Sequence, residues 1–426
     1  MKRPVTILTA VTLTILLGFC GSGLMASDKF SYDGQIRLRG ELDLTSTDSS
    51  RHAQNFNLLR TRVGLKFEPT DRAFAYVQLQ DSRTLGSPGS GDLSATDNVD
   101  LHQAYFVIDG AIFSPLLIKA GRFELNYGNQ RVFGAVGWHN VGRSWEGGLL
   151  SYRGDKFTLD LFNLKKMELD DETYNRDFDI IGLYGKIDQA HLDLFLFYEV
   201  DADTNAADTS SQPFSQKKLK RFNLGGYYSN SFNSFDITAQ TVFQFGEMPR
   251  EPLPDSTVPT FQDISAFMIA TELGYSFKCP CNARVALGID YSSGDDGTDT
   301  TKYKAYTNAY YTGHKFRGFM DYFVPSDANG LMDIMLRGKF SVAPRWIFKS
   351  DFHYFKAAEN YISKSDSTIV TSDIGMELDM SLTNKALSGA TVTGGLSFFL
   401  PDDHFAAAGK YQETGVWAYF MTTLNF

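Results

Sequence analysis

Residues 121–148, "GRFELNYGNQRVFGAVGWHNVGRSWEGG", hold seven glycines, three arginines and two tryptophans, and no lysine. Guanidinium groups grip carboxylate or phosphate through paired hydrogen bonds. Tryptophan faces suit sugar rings, and also membrane interfaces. Glycines let a loop pack tightly or fold inward. The mixture suits a phosphate cradle, a wall along which an anion or sugar slides, or a loop whose tryptophans sit in a membrane girdle. In the last case the arginines would pair with Glu124 and Glu146. The cradle fails first. It needs a helix to start beyond the glycines, and no helical periodicity follows Gly128. Residues 116–126 read as a strand, with Arg122 and Glu124 on one side and Phe123 and Leu125 on the other. A Gly-rich loop then carries Arg131, Trp138, Arg143 and Trp145 before a short strand near "GGLLSYR". We expect this loop to form an arginine–tryptophan constriction.

Enzyme chemistry finds little support. The chain has no HExxH zinc motif, no GxSxG nucleophile elbow and no complete P-loop. Of seven scattered histidines, only His102 and His353 fall within expected strands. Either could act as a base beside a serine and an acid, but a polar histidine on a wet strand face is the plainer reading. Cys279 and Cys281, in "KCPCN", lack the further ligands that zinc requires. They read as a turn pair, free or disulfide-linked. No catalytic residue, metal or cofactor is expected. The formal charge of −10 argues against a nucleic-acid partner.

The elements that would hold these residues alternate with period two. In "GQIRLRGELDL", Ile36, Leu38, Leu42 and Leu44 share one face, and Gln35, Arg37, Arg39, Glu41 and Asp43 the other. In "LLRTRVGLKFE", Leu59, Thr61, Val63, Leu65 and Phe67 oppose Arg60, Arg62, Gly64 and Lys66. Asp333, Arg337 and Lys339 share a face further on, as do Lys349, Asp351 and His353. In "IGMELDMSL", Ile374, Met376, Leu378 and Met380 oppose Gly375, Glu377, Asp379 and Ser381. Such strands have one apolar and one wet surface. Short links such as "EPTD", "RGDK" and "DQAH" alternate with long polar ones, including 84–98, 201–219, 247–263, 292–328, 357–370 and 400–413. Outer-membrane barrels have that asymmetry, with the charged face toward the lumen. Aromatic residues make up 14% of the chain, enough for interfacial girdles.

The ends agree. Lys2 and Arg3, the apolar run from Val5 to Phe19 and small residues up to Ser27 read as a cleaved signal peptide over 1–27. Phe19 is too bulky to precede a lipidated Cys20. The last stretch, "GVWAYFMTTLNF", alternates to the terminal Phe426. It reads as a closing strand that pairs with the first, and Phe426 as a signal for the barrel-assembly machinery. We therefore expect an all-β fold: an antiparallel transmembrane β-barrel of about eighteen strands, spanning 28–426, in the outer membrane of a Gram-negative-type bacterium, embedded in its lipid.

The stretches "LLRTRVGL", "VQLQDSR", "VDLHQAYF", the 121–148 segment, "TGHKFRGFMDYF" at 312–323 and "IGMELDM" together resemble the alginate export family of outer-membrane porins. The resemblance covers nearly all of the chain beyond residue 36. It implies an eighteen-stranded monomer whose basic lumen passes small hydrophilic or polyanionic saccharide solutes. By position it implies an anion-facing set: Arg37, Arg39, Arg60, Arg62, Arg122, Arg131, Arg143, Arg337, Lys339 and Lys349. Glu124, Trp138 and Trp145 complete the expected lining. Carboxylates on the same faces, among them Glu41, Asp333, Asp351, Glu377 and Asp379, depart from that pattern, and the connection at 383–390 is short. Two other classes stay open: a barrel enzyme using His102 or His353, and a sealed barrel that binds a partner through the 292–328 loop.

Overall fold

The structure, a computed structural model, describes residues 29–44, 54–86, 99–168, 177–202, 218–250, 260–362, 368, 370–403 and 413–426. The expected signal peptide and much of each long polar link except 292–328 lie outside them. The described residues form one sheet of nineteen strands. One, Lys302–Tyr303 (β14), is a two-residue segment parallel to its neighbour Thr260–Ser276 (β12). The other eighteen make an antiparallel barrel in chain order. Its wall runs from Phe30–Asp43 (β1) and Gln54–Thr70 (β2) to Gly415–Asn425 (β19). The seam pairs β1 with β19, from Gln35 opposite Asn425 to Asp43 opposite Trp417. Closure satisfies every strand edge, as a sheet surrounded by hydrocarbon requires. At the seam, Gly34 and Phe426 exchange backbone hydrogen bonds of 2.8 and 3.1 Å. A Cβ at Gly34 would meet the Phe426 ring at 2.3 Å, so glycine lets that ring lie over the seam.

The alternation sorts as its chemistry demands. Ile36, Leu38, Val63, Leu65, Val77 and Leu79 are exposed on the outer wall, whereas Arg37, Arg39, Arg60, Gln78 and Gln80 are buried inside. The outer apolar belt continues through Leu183 on Phe178–Ile187 (β8), Leu196 on Leu192–Asp201 (β9) and Leu224 on Leu219–Phe232 (β10), three residues in cross-strand register. An arginine on this face costs up to about 2–4 kcal/mol in the hydrocarbon. Leu196→Arg is accordingly expected to lower the urea midpoint of the barrel in lipid vesicles, while Leu196→Phe leaves it near the parent value.

Two local readings are corrected. Ile374 was expected outside with Met376, but it is fully buried, and Met376 is 44% exposed. Gly375 adopts φ +147° beside a register break between Val370–Leu387 (β17) and Trp346–Ile362 (β16). That irregularity turns Ile374 inward against Phe355 and Phe399. The second concerns Leu116–Phe123 (β5). Its inner residues include Leu117 and Phe123, both buried, so Phe123 faces inward where the outer face was expected; Arg122 alternates with them, in phase with Ala120 and Ile118. At the strand's end the Arg122 side chain reaches a cavity that Arg143, Trp145 and Tyr310 also line. There it pairs with Glu146 at 2.7 Å on Trp145–Arg153 (β6).

Candidate functional site: a lumen crossed by two loops

The connections 124–144, between β5 and β6, and 293–330, between Arg284–Ser292 (β13) and Leu331–Ala343 (β15), fold into the barrel and meet. Gly134 N–H donates to Tyr310 O at 2.9 Å, and Thr312 N–H to Gln130 O at 3.0 Å. The Phe133 and Tyr310 rings stack 5.3 Å apart. Arg143 donates to the carbonyl oxygens of Gly134 and Tyr310, tying both loops with one guanidinium. These contacts join residues up to 182 positions apart.

Each loop is held to a different stretch of wall by opposite chemistry. The 124–144 loop offers carbonyl oxygens to arginines of β1 and β2. Arg37 donates to Gly137 O at 2.7 Å and Arg39 to Trp138 O at 2.6 Å. Arg60 donates to Gly137 O and His139 O, both at 3.1 Å, and Arg62 to Val141 O at 2.9 Å. The 293–330 loop offers N–H groups to carboxylates of β17: Met320 to Glu377 at 2.9 Å and Phe319 to Asp379 at 3.1 Å. Ser397 and His353 add to this buried acidic cluster, with His353 Nδ1 2.8 Å from Asp333. Tyr310 O–H donates to Glu199 at 2.5 Å, and Glu199 also accepts from Arg221 and Asn223. Charged hydrogen bonds in a space shielded from water are stronger than neutral ones.

The residues singled out from the sequence thus occupy defined places. Arg37, Arg39, Arg60 and Arg62 reach the lumen, but their donors face loop carbonyls. Arg131 is buried, paired with Asp290, and lies over the Phe316 ring. Trp138 has both faces covered, by the Arg39 guanidinium at 3.8 Å and the stacked His314 ring at 4.1 Å. Trp145 is 3% exposed against Phe133 and Tyr310. Arg337 bridges Glu272 and Asp351. Lys339 and Lys349 face each other across β15 and β16, both exposed, and form no ion pair among the described residues. Glu124 binds Arg62 and His102. Arg122 pairs with Glu146 and lines a cavity together with Arg143, Trp145 and Tyr310.

The histidine chemistry is also placed. Glu124 Oε1 lies 2.8 Å from His102 Nε2, and Ser144 Oγ lies 3.4 Å from Nδ1 and 3.5 Å from Nε2. A serine activated by imidazole bonds one ring nitrogen closely. Near-equal distances to both put this hydroxyl off either lone pair. The Cys279–Cys281 pair is a disulfide.

The loop carries its own titration. Burial, then the nearby Arg39, Arg37, Arg143 and Arg60, hold the His139 imidazole below its usual value. The docked loop therefore binds fewer protons at this group than the undocked one. Docking should be fully stable above the ordinary histidine value of about 6.5 and weaken as pH falls below it, until the lowered value is reached. Limited proteolysis of the 124–144 loop should accelerate between pH 7.5 and pH 5, and His139→Gln should flatten that profile.

The Asn129–Arg143 contacts, Phe133 and the whole 293–330 framework were missed as partners in sequence. The pairing of two loops with 148 residues between them, 145–292, leaves no local signal.

The sequence model of the alginate export family matches residues 28–418. No curated protein matches the chain. Among solved structures, OccK2 (OpdF) of Pseudomonas aeruginosa in complex with glucuronate superposes with a TM-score of 0.58 at 11% identity, covering 94% of this chain and 98% of that one. A BenF-like porin from Pseudomonas fluorescens Pf-5 gives 0.59 at 10% identity over 93% and 98%. OccAB4 of Acinetobacter baumannii gives 0.56 at 10% over 93% and 98%. At these identities the likeness shows the fold: that of porins of the Gram-negative outer membrane. With the family model spanning almost the whole barrel, this chain belongs to the alginate export family.

Proposed function

We propose that this outer-membrane channel conducts small hydrophilic solutes, saccharide or anionic, by passive diffusion past the two inward loops, and that it is not an enzyme. The observation that carries this reading is the meeting of loops 124–144 and 293–330 within the lumen. Loops held rigidly inside a wide barrel set size and polarity at the narrowest point. The uncompensated Lys339 and Lys349 favour an anionic solute on their side of the lumen. Glucuronate, bound by OccK2, is both a sugar and an anion and gives a model solute. The off-axis Ser144 supports leaving hydrolysis aside. The same reading includes a monomeric barrel delivered to the assembly machinery through Phe426.

The test is single-channel conductance and reversal potential of the refolded chain in a planar bilayer under a KCl gradient. An open channel with chloride preference, its current reduced by glucuronate, is expected. A cation-selective channel would reject the anionic solute, and absence of conductance would reject the channel.

A further inference from the structure

A cavity of about 510 Å³ lies inside the barrel, beneath the first inward loop and beside the short turn at 188–191. Its wall comes from the inner faces of Thr158–Met167 (β7), β8, β9 and β10, and its roof from Asn126–Gly128. Its chemistry differs from that of the arginine wall. Tyr127 and Tyr184 stack at 3.9 Å, and each hydroxyl is held by a carboxylate: Tyr127 by Asp160 at 2.8 Å, Tyr184 by Asp193. The second oxygen of Asp160 is buried and has no hydrogen-bond partner among the described residues. Tyr227 lines the same cavity, and its ring stacks on no other ring among the described residues. Lys186, the one lysine here, is tied to Asp188 at 2.8 Å.

We infer that this cavity is a binding site for a neutral saccharide, entered from the short-turn end. This deepens the channel reading above and rests on it for the route by which the sugar leaves. Carboxylate oxygens accept the paired hydroxyls of a sugar, and a tyrosine face packs against the apolar C–H face of the ring. Asp160, Asp188 and Asp193 all line the cavity and place carboxylates around it. A uronate would bring its own negative charge toward Asp160, Asp188 and Asp193, where Lys186 is already paired with Asp188 and His191 is the other basic side chain of the lining. The site therefore prefers an uncharged sugar, even though the opposite stretch of lumen carries Lys339 and Lys349. A solute would meet acids and tyrosines on one side of the vestibule and lysines on another.

The experiment is calorimetry on the detergent-solubilised full barrel, titrated separately with maltotriose, a guluronate trimer and spermidine. KCl conductance is recorded in parallel, with maltotriose added on either side. Maltotriose should bind more tightly than the guluronate trimer and reduce the current from the short-turn side. Tyr227→Ala should weaken binding about tenfold, as loss of an aromatic contact does, with Tyr227→Phe close to the parent. Asp160→Asn should narrow the gap between maltotriose and guluronate. Preferential binding of guluronate or of spermidine overturns the assignment, as does maltotriose binding that ignores Tyr227→Ala. Conductance without maltotriose binding rejects this site and leaves the channel standing. Maltotriose binding without conductance rejects the channel and leaves the site.

Discussion

Replacing residues 129–142 with a short Gly-Ser linker should raise single-channel conductance roughly fivefold and turn the channel strongly toward chloride, since eighteen-stranded barrels are wide when nothing fills them. The size of the effect follows from what the segment does. It carries the carbonyl oxygens of Gly137, Trp138, His139 and Val141, which face Arg37, Arg39, Arg60 and Arg62. Without it, four guanidinium groups face open water; Arg39 and Arg62 keep Glu41 and Glu124, while Arg37 and Arg60 have no carboxylate partner among the described residues, and the net field governs which ions enter. The removal also takes Phe133 from the aromatic cluster, so a milder variant isolates the clamp. Arg37→Ala with Arg60→Ala leaves the loop intact but frees its tip, and should give a smaller rise with frequent closures. Unchanged conductance in both variants would mean that the segment does not narrow the pore.

Glu199→Ala should destabilise the barrel by about 3–5 kcal/mol, because truncating one member of a buried ion pair leaves the other charge uncompensated. Glu199 is 1% exposed and Arg221 is 7% exposed. They join through two bonds of 2.7 and 3.0 Å. Asn223 and Tyr310 complete the shell around the carboxylate. Removing it also releases Tyr310, the residue at which the second loop meets both the wall and the first loop. Urea unfolding in detergent, followed by tryptophan fluorescence, reads the stability loss. Current noise reads the loosened loop. Tyr310→Phe, which keeps the ring and loses only the hydroxyl, should show the noise with much less destabilisation. Equal urea midpoints for Glu199→Ala and the parent would contradict the ion pair's structural role.

The barrel was legible because its signal is local. Ile36 against Arg37, or Val63 against Arg62, declares a strand with one greasy and one wet face within a few residues. The links between strands then give sidedness. Parity also shows where such reasoning breaks. At Gly375 one irregular residue reverses the face of Ile374, and on the fifth strand Phe123 turns inward where alternation placed it outside. The constriction was only half legible. Its ingredients were visible in 121–148: Arg131 and Trp145 are buried, and Arg143 ties the two loops. Their partners were not visible, because they are set by contacts across the lumen. Trp138 looked like a platform for sugar, yet Arg39 and His314 cover its two faces. Arg131 looked like an anion hook, yet Asp290 already occupies it. The cavity beside Tyr227 had no motif at all: its walls come from four strands, a turn and a loop, each contributing two or three residues.

The position of Trp138 has a further consequence, for the order in which the molecule is made. Its contacts come from both ends of the chain: Arg39 on the first strand, and Trp417 and Tyr419 on the last, with ring centroids 5.8 and 5.0 Å away. Trp417 is itself bound to Glu41 across the seam at 3.1 Å. The seat for the loop tip is therefore incomplete until the final strand arrives. Sealing the cylinder and docking the tip become one cooperative event, and a nascent barrel still open along that line would carry an undocked loop.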